Sequence, residues 1–291
     1  MLMGLTFTFG LMGAAFGTTP MRMLFDYFGY DTTFQGLAIV GLLIAVVLLL
    51  FHDKKMERFE DVGGSASLTS TLKLVFNPTI LFIGVCGGLM VGALEGFTDL
   101  WIIPFFHQVY GLSEYESITL ITFVYAGMCI GGPVLAFVAE SLRSSTAVIC
   151  STGLLMAGIF AALFYAGPLP YTVCCMLMLL LGILCSYQVL VFTVTSSLVD
   201  KSTAGAAIGV VNCINMAFGD QFHKLISMLV QQSWNGALSP KGTPLYTLDA
   251  LIDGLCWIPI LSVVGALGFL YLAYRGTRKV RFENLIRNVD A

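Results

Sequence analysis

Apolar residues in this chain fall into eight stretches, near 3–25, 33–51, 79–103, 117–139, 145–166, 171–195, 204–230 and 249–273, separated by short polar intervals. A bilayer core about 30 Å thick takes about 20 apolar residues in helical form. Backbone groups inside hydrocarbon must bond within their own segment, which makes each such stretch a helix. The pattern therefore predicts an all-α polytopic membrane protein with about eight transmembrane helices.

The polar intervals set the organisation. The longest inner one, 52–77, contains HDKKMERFEDVGGSASLTS, charged first and then rich in Gly and Ser. It separates two spans from six and marks the expected boundary between bundles. Its last part, SLTSTLKLVF, has the pattern of a short amphipathic helix on the membrane surface. The other connections are short, as antiparallel neighbours require. Glycines punctuate several spans: Gly4, Gly10, Gly13 and Gly17 in the first, and Gly131-Gly132-Pro133 in the fourth. Small residues let membrane helices approach closely, and Gly-Pro pairs let them bend, so both packing and hinge roles stand open here.

Charge refines the picture. Hydrophobic residues make up 57% of the 291 positions and charged residues 11%, against roughly 25% charged in soluble domains. The fourteen Lys and Arg are unevenly placed. Lys54, Lys55, Arg58, Lys73, Arg143, Lys201, Arg275, Arg278, Lys279, Arg281 and Arg287 fall on one side; Arg22, Lys224 and Lys241 do not. The positive-inside rule makes the basic side cytoplasmic and places both termini there. A net charge of −3 gives no reason to expect nucleic acid as a partner. The eight cysteines lie inside apolar spans without metal-ligand spacing and read as packing residues. No Walker loop, HExxH or GxSxG motif is present, and the three histidines (52, 107, 223) are scattered. Neither an enzyme nor a metal or cofactor site is expected.

Several segments carry a family likeness. FTDLWIIPFFHQVYGLSEYES resembles the end of the first helix of the second half in the major facilitator superfamily, with Trp101, Pro104 and Gly111-Leu112-Ser113 at the matching positions. AFVAESLRSS at 136–145 resembles the family's latch loop, with Glu140 in place of its Asp and Arg143 among few basic residues retained. AGAAIGVVNCINMAFGD at 204–220 resembles its penultimate helix. Gly4, Gly13 and Gly17 match the start of the antiporter signature, but Thr18 and Met21-Arg22 replace the rest, so antiport is not inferred. The resemblance implies a secondary transporter of twelve helices in two halves. Residues 1–51 would be the last two helices of the first bundle, 52–77 the cytoplasmic connection, 78–274 the complete second bundle, and 275–291 a cytoplasmic tail. Counterparts of the family's first four helices are missing before Met1, so the chain by itself is expected to transport poorly or not at all.

Ionisable and polar groups inside hydrocarbon are costly and usually mark a pathway. Glu95 and Asp99 stand at i,i+4 in the third span and share a helix face. A proton shared between them would make a coupling group; interhelical hydrogen bonding of Glu95 with Asp99 in the outer interface is the competing reading. Asn212 and Asn215 lie near the centre of the seventh span, with Asp220, His223 and Lys224 towards its outer end. Asp220 and Lys224 are also i,i+4 and are expected to pair; the alternative is that Lys224 or His223 meets an anionic solute group. Tyr187 and Gln188 form a polar island in the sixth span, and Trp101 completes the pathway candidates. Glu140 and Arg143 are candidates for a gating loop.

The expected activity is alternating-access transport of a small polar or ionic solute, with a proton or sodium ion as possible driver. The expected setting is a bacterial inner membrane. The alternative is a non-transporting membrane interaction protein, or one part of a split transporter completed by a polypeptide with the missing helices.

Overall fold

The computed structural model describes residues 2–50, 68–239 and 242–289; the charged first part of the inner connection lies outside them. Among the described residues every extended element is helical, apart from an isolated bridge between Leu238 and Pro244. Six stretches are long and apolar enough to cross a membrane: Met23–Val47, Pro78–Val109, Glu114–Ser141, Ser145–Tyr165, Tyr171–Ser197 and Leu248–Arg275. The seventh expected span is also a helix, of 29 residues, but its charged and amide side chains lower its hydropathy below that of the other six.

The first two expected spans join in one helical run, α1 (Leu2–Leu50), broken only at Gly29. There φ is 75°, a conformation that glycine adopts without a Cβ clash. The Thr33 hydroxyl donates to Leu24 O at 3.1 Å and to Gly29 O at 2.8 Å. Nine residues of straight helix would separate Thr33 and Leu24 by about 13.5 Å, so the axis turns sharply at this one residue. The interval 26–32 therefore is a helix break rather than a loop. The amphipathic helix expected before Asn77 is present as α2 (Leu68–Val75).

The third span starts where Asn77 caps it, its Oδ1 accepting from Thr79 N (2.9 Å) and Ile80 N (3.3 Å), with Pro78 at the first helical position. It is not a uniform α-helix. α3 (Pro78–Met90) passes through a 3₁₀ turn (Val91–Ala93) into a π-helix (Leu94–Trp101) and then α4 (Ile102–Val109), six residues beyond the expected end. Gly111, at φ 67°, turns the chain. Ser113 then caps α5 (Glu114–Ser141) in a capping box with Glu116. Burial pushes the Tyr110 hydroxyl in this turn up to about 12, which keeps it a donor to Leu163 O at 2.8 Å.

α6 (Ser145–Tyr165) follows the short inner turn. The sixth expected span is divided at Ser186 into α7 (Tyr171–Cys185) and α8 (Tyr187–Ser197). α9 (Ala204–Gln232) is followed by α10 (Leu248–Leu255) and α11 (Trp257–Val289), which continues helically through the basic tail.

Backbone-to-backbone approach holds α5 and α7 together. A Cβ on Gly127 would lie 2.1 Å from Leu179 O, one on Gly182 1.9 Å from Val124 O, and one on Gly131 2.5 Å from Ile183 O. α5 runs unbroken through Pro133. Of the two roles open for Gly131, the structure shows close packing. Towards the α4 end, Phe97, Phe105, Phe106, Phe160 and Phe164 form an aromatic cluster, with Phe97 and Phe160 centroids 5.2 Å apart at 90°. None of the eight cysteines is in a disulfide.

Candidate functional site

The site is built by a seam between α3 with its π-helical continuation and α9. Gly84, Gly88, Gly92 and Gly96 recur every fourth residue on one side; Ile214, Phe218, Phe222 and Ile226 recur every fourth residue on the other. A Cβ on each glycine would meet its counterpart: Ile214 at 2.6 Å, Phe218 at 2.6 Å, Phe222 at 2.5 Å and Ile226 at 3.1 Å. Both series ascend together, so the two helices run parallel in fixed register. Small residues facing large ones allow this close approach in a membrane.

That register places Glu95 over Gly219, where a Cβ would lie 3.1 Å from Glu95 Cγ and 3.4 Å from its Oε2. One turn further along α9, the His223 ring turns to the same place and its Nε2 hydrogen-bonds Glu95 O at 2.5 Å. Because a carbonyl only accepts, Nε2 carries a proton in this bond. Ligand atoms of Glu95, Asp99 and His223 all lie within 4.8 Å of one another. Tyr125 of α5 completes the group by donating to Asp99 Oδ1 at 3.3 Å. Glu95 and His223 are half-buried, and Asp99 is exposed.

The π-helix fits this arrangement. Thr98 Oγ1 donates to Ala93 O five residues back (3.0 Å), and the N–H of Ile102 bonds Phe97 O, also five back. Such wide turns inside α-helices frequently mark functional sites. The expectation that Glu95 and Asp99 share a face holds, and the hydrogen bond from Tyr125 ties Asp99 into the bundle.

The remaining candidates separate. Asp220 and Lys224 form the expected ion pair at 2.6 Å, with side chains 55% and 66% exposed. Tyr187 is buried and donates to Gly87 O at 2.8 Å; Gln188 is buried beside it. Asn215 is fully buried against Gly87, with Oδ1 3.2 Å from where a Cβ would stand. Neither its Oδ1 nor its Nδ2 has a hydrogen-bond partner, which marks a polar point deep in the bundle. Asn212, one turn earlier, is exposed. Trp101 is buried with its ring 5.7 Å from Tyr246, and its Nε1 is likewise without a partner. Glu140 in the last turn of α5 and Arg143 in the turn after it are exposed, and Arg143 takes a left-handed φ of 51°. An open groove of about 420 Å³ lies between α9 and α11, lined by Phe218, Gln221, Phe222, Lys224, Met228 and Leu261, and does not reach the carboxylates.

Tyr125 and Gly219 were not among the expected site residues. The two four-residue series carried a readable signal, but which helices pair is decided in three dimensions.

The sequence model of the Major Facilitator Superfamily matches residues 1–219. The chain belongs to that superfamily. The match covers three quarters of its length and runs into α9 as far as Gly219. No curated protein matches the chain. Membership in the superfamily, together with the apolar helices, makes this an integral multi-pass membrane protein of a transporter family and points away from an enzyme.

Proposed function

We propose that this superfamily member takes part in secondary transport of a small polar or ionic solute, with Glu95, Asp99 and His223 as the ion-coupling centre. The observation that carries this reading is the convergence of three ionisable side chains from two packed membrane helices. Hydrocarbon disfavours such groups unless function retains them. In this reading 78–274 is one complete bundle and 52–77 the connection to the other, with both termini cytoplasmic in a bacterial inner membrane. Alternating access rocks the bundles about a midplane region, to which Asn215, Tyr187 and Gln188 contribute the polar interior. The coupling ion, a proton or a sodium ion, binds when the carboxylates open to one side and leaves when they open to the other.

A second reading is favoured by one specific feature. Most described side chains of α1 between Met23 and Leu50 are exposed, as is the Asp220–Lys224 pair on α9. A further polypeptide covering these faces would place them in a protein interior, as in a split transporter or a non-transporting membrane complex.

The test is reconstitution of the purified chain into liposomes containing a pH-sensitive dye, with a panel of amino acids, sugars and organic anions added outside. Solute-dependent proton movement that Glu95→Gln abolishes supports the coupling role. Solute uptake that is equal in Glu95→Gln, Asp99→Asn and wild type, at every pH and sodium gradient, refutes it. Uptake only in the presence of a copurifying polypeptide supports the second reading.

A further inference from the structure

We propose that Glu95, Asp99 and His223 together bind a divalent first-row transition-metal cation. The inference rests on the transport reading only in that it names the class of ion the same three side chains take.

The ligand chemistry selects the ion. Two carboxylates and one imidazole supply oxygen and nitrogen without a thiolate. Carboxylates suit hard divalent ions and an imidazole nitrogen adds preference for first-row transition metals, so the mixed set disfavours the softest metals. Two carboxylates, when ionised, carry a charge that a divalent ion balances. Lys224, one residue after His223, is held by Asp220 at 2.6 Å and does not supply that charge.

The geometry is close to what a metal needs. The three ligand atoms lie within 4.8 Å of one another. Adjacent ligands of one ion at about 2.1 Å stand roughly 3.0–3.4 Å apart, so side-chain rotations of about an ångström or two close the set. The supporting contacts are of the kind that orient metal ligands. A ligating histidine usually donates one ring N–H to a carbonyl or carboxylate, and His223 gives Nε2–H to Glu95 O, so Nδ1 of the neutral ring is the nitrogen that would ligate. Asp99 is held at Oδ1 by Tyr125, leaving Oδ2 for an ion. The exposure of Asp99 provides a way in.

The experiment is Mn²⁺ titration of the purified full chain in detergent, with free Mn²⁺ read from its six-line electron paramagnetic resonance signal. Mn²⁺ is the probe because the eight free thiols would draw softer metals. The expected result is one Mn²⁺ per chain. His223→Ala and Asp99→Asn should each weaken it by more than the roughly 10–100-fold that a lost supporting contact costs. Tyr125→Phe, which removes only such a contact, should weaken it about tenfold. His107→Ala, a histidine remote from the cluster, should leave binding unchanged. If His223→Ala does not fold, His223→Gln and Glu95→Gln read the same loss, with thermal unfolding to verify the fold. The absence of stoichiometric Mn²⁺ binding up to millimolar concentration overturns the proposal, as does binding that survives in His223→Ala, Asp99→Asn and Glu95→Gln alike. Solute transport without Mn²⁺ binding sinks this inference and leaves the transport reading standing. Mn²⁺ binding in a chain that moves no solute does the reverse.

Discussion

Gly92→Ala is the sharpest single perturbation of the seam. The new methyl would stand 2.5, 2.7 and 2.9 Å from three ring atoms of Phe222, a residue only 2% exposed. Ordinary van der Waals contact needs about 3.5 Å or more, so α9 must retreat by roughly 1 Å or the Phe222 ring must leave its pocket. Overpacking of this kind costs about 1–3 kcal/mol. A retreat of that size also stretches the His223–Glu95 bond past hydrogen-bonding range, at about 1 kcal/mol more. The assay is thermal unfolding in detergent, followed by a dye that reacts with thiols as they become exposed, since Cys86, Cys150, Cys174, Cys175 and Cys185 are buried and free. The expected result is a fall of several degrees in Tm. Gly158→Ala is the control: nothing lies within 4 Å of a Cβ there, and alanine favours helix by about 1 kcal/mol, so its Tm should hold or rise. Shrinking the ring in Gly92→Ala/Phe222→Leu should give a smaller loss than the two single changes added together, because the residues are in contact. Gly92→Ala with wild-type Tm, and no coupling to Phe222, would refute the register proposed for α3 and α9.

Other outcomes follow from the same contacts. Gly182→Ala should be more damaging than Gly92→Ala, because its methyl would meet the backbone oxygen of Val124 at 1.9 Å and no side chain can give way; accumulation in membranes measured by blot checks this. Lys224→Ala should change Tm by no more than the equivalent of about 0.5 kcal/mol, since an exposed i,i+4 pair contributes little. Tyr187→Phe should lower stability by about 1 kcal/mol by removing the donor to Gly87 O, read in the same unfolding assay. Ser113→Ala should cost about 1 kcal/mol through loss of the capping box on α5.

Much of the architecture was legible in the order of apolar and polar residues. Periodicity and length decide helix against strand, and Gly29, Gly111 and Ser113 punctuate the chain with recognisable chemistry. What sequence reasoning missed were interruptions within spans: the π-helix at Leu94–Trp101 and the breaks at Ser186 and Cys256. All three lie inside membrane spans, where hydropathy does not report helix type and packing against neighbours decides backbone geometry. The candidate site divides in the same way. Local i,i+4 spacing revealed the Glu95–Asp99 face and the Asp220–Lys224 pair, because both partners share one helix. The meeting of His223 with Glu95, 128 residues apart, depends on which helices pair and in what register. The glycine series of α3 and the large apolar series of α9 held that information only jointly. For Tyr187 both a cavity-facing role and buried interhelical hydrogen bonding were legible; its hydroxyl donates to a carbonyl on α3.

The central claim is that α3 and α9 run parallel in the register that gathers Glu95, Asp99 and His223. Cysteine cross-linking tests it most directly. A Cβ on Gly219 lies 3.2 Å from Glu95 Cβ, near the roughly 3.5–4.5 Å that a disulfide prefers. The measurement uses Glu95→Cys/Gly219→Cys in a chain whose native cysteines are replaced, with a protease site inserted in the turn at Gly167. After mild oxidation and cleavage, the account predicts that the two fragments stay joined on a non-reducing gel and separate on reduction. Glu95→Cys/Asn212→Cys should separate under both conditions. Fragments that separate without reductant in the Glu95/Gly219 pair, under conditions where both thiols are oxidisable, would contradict the register and with it the site.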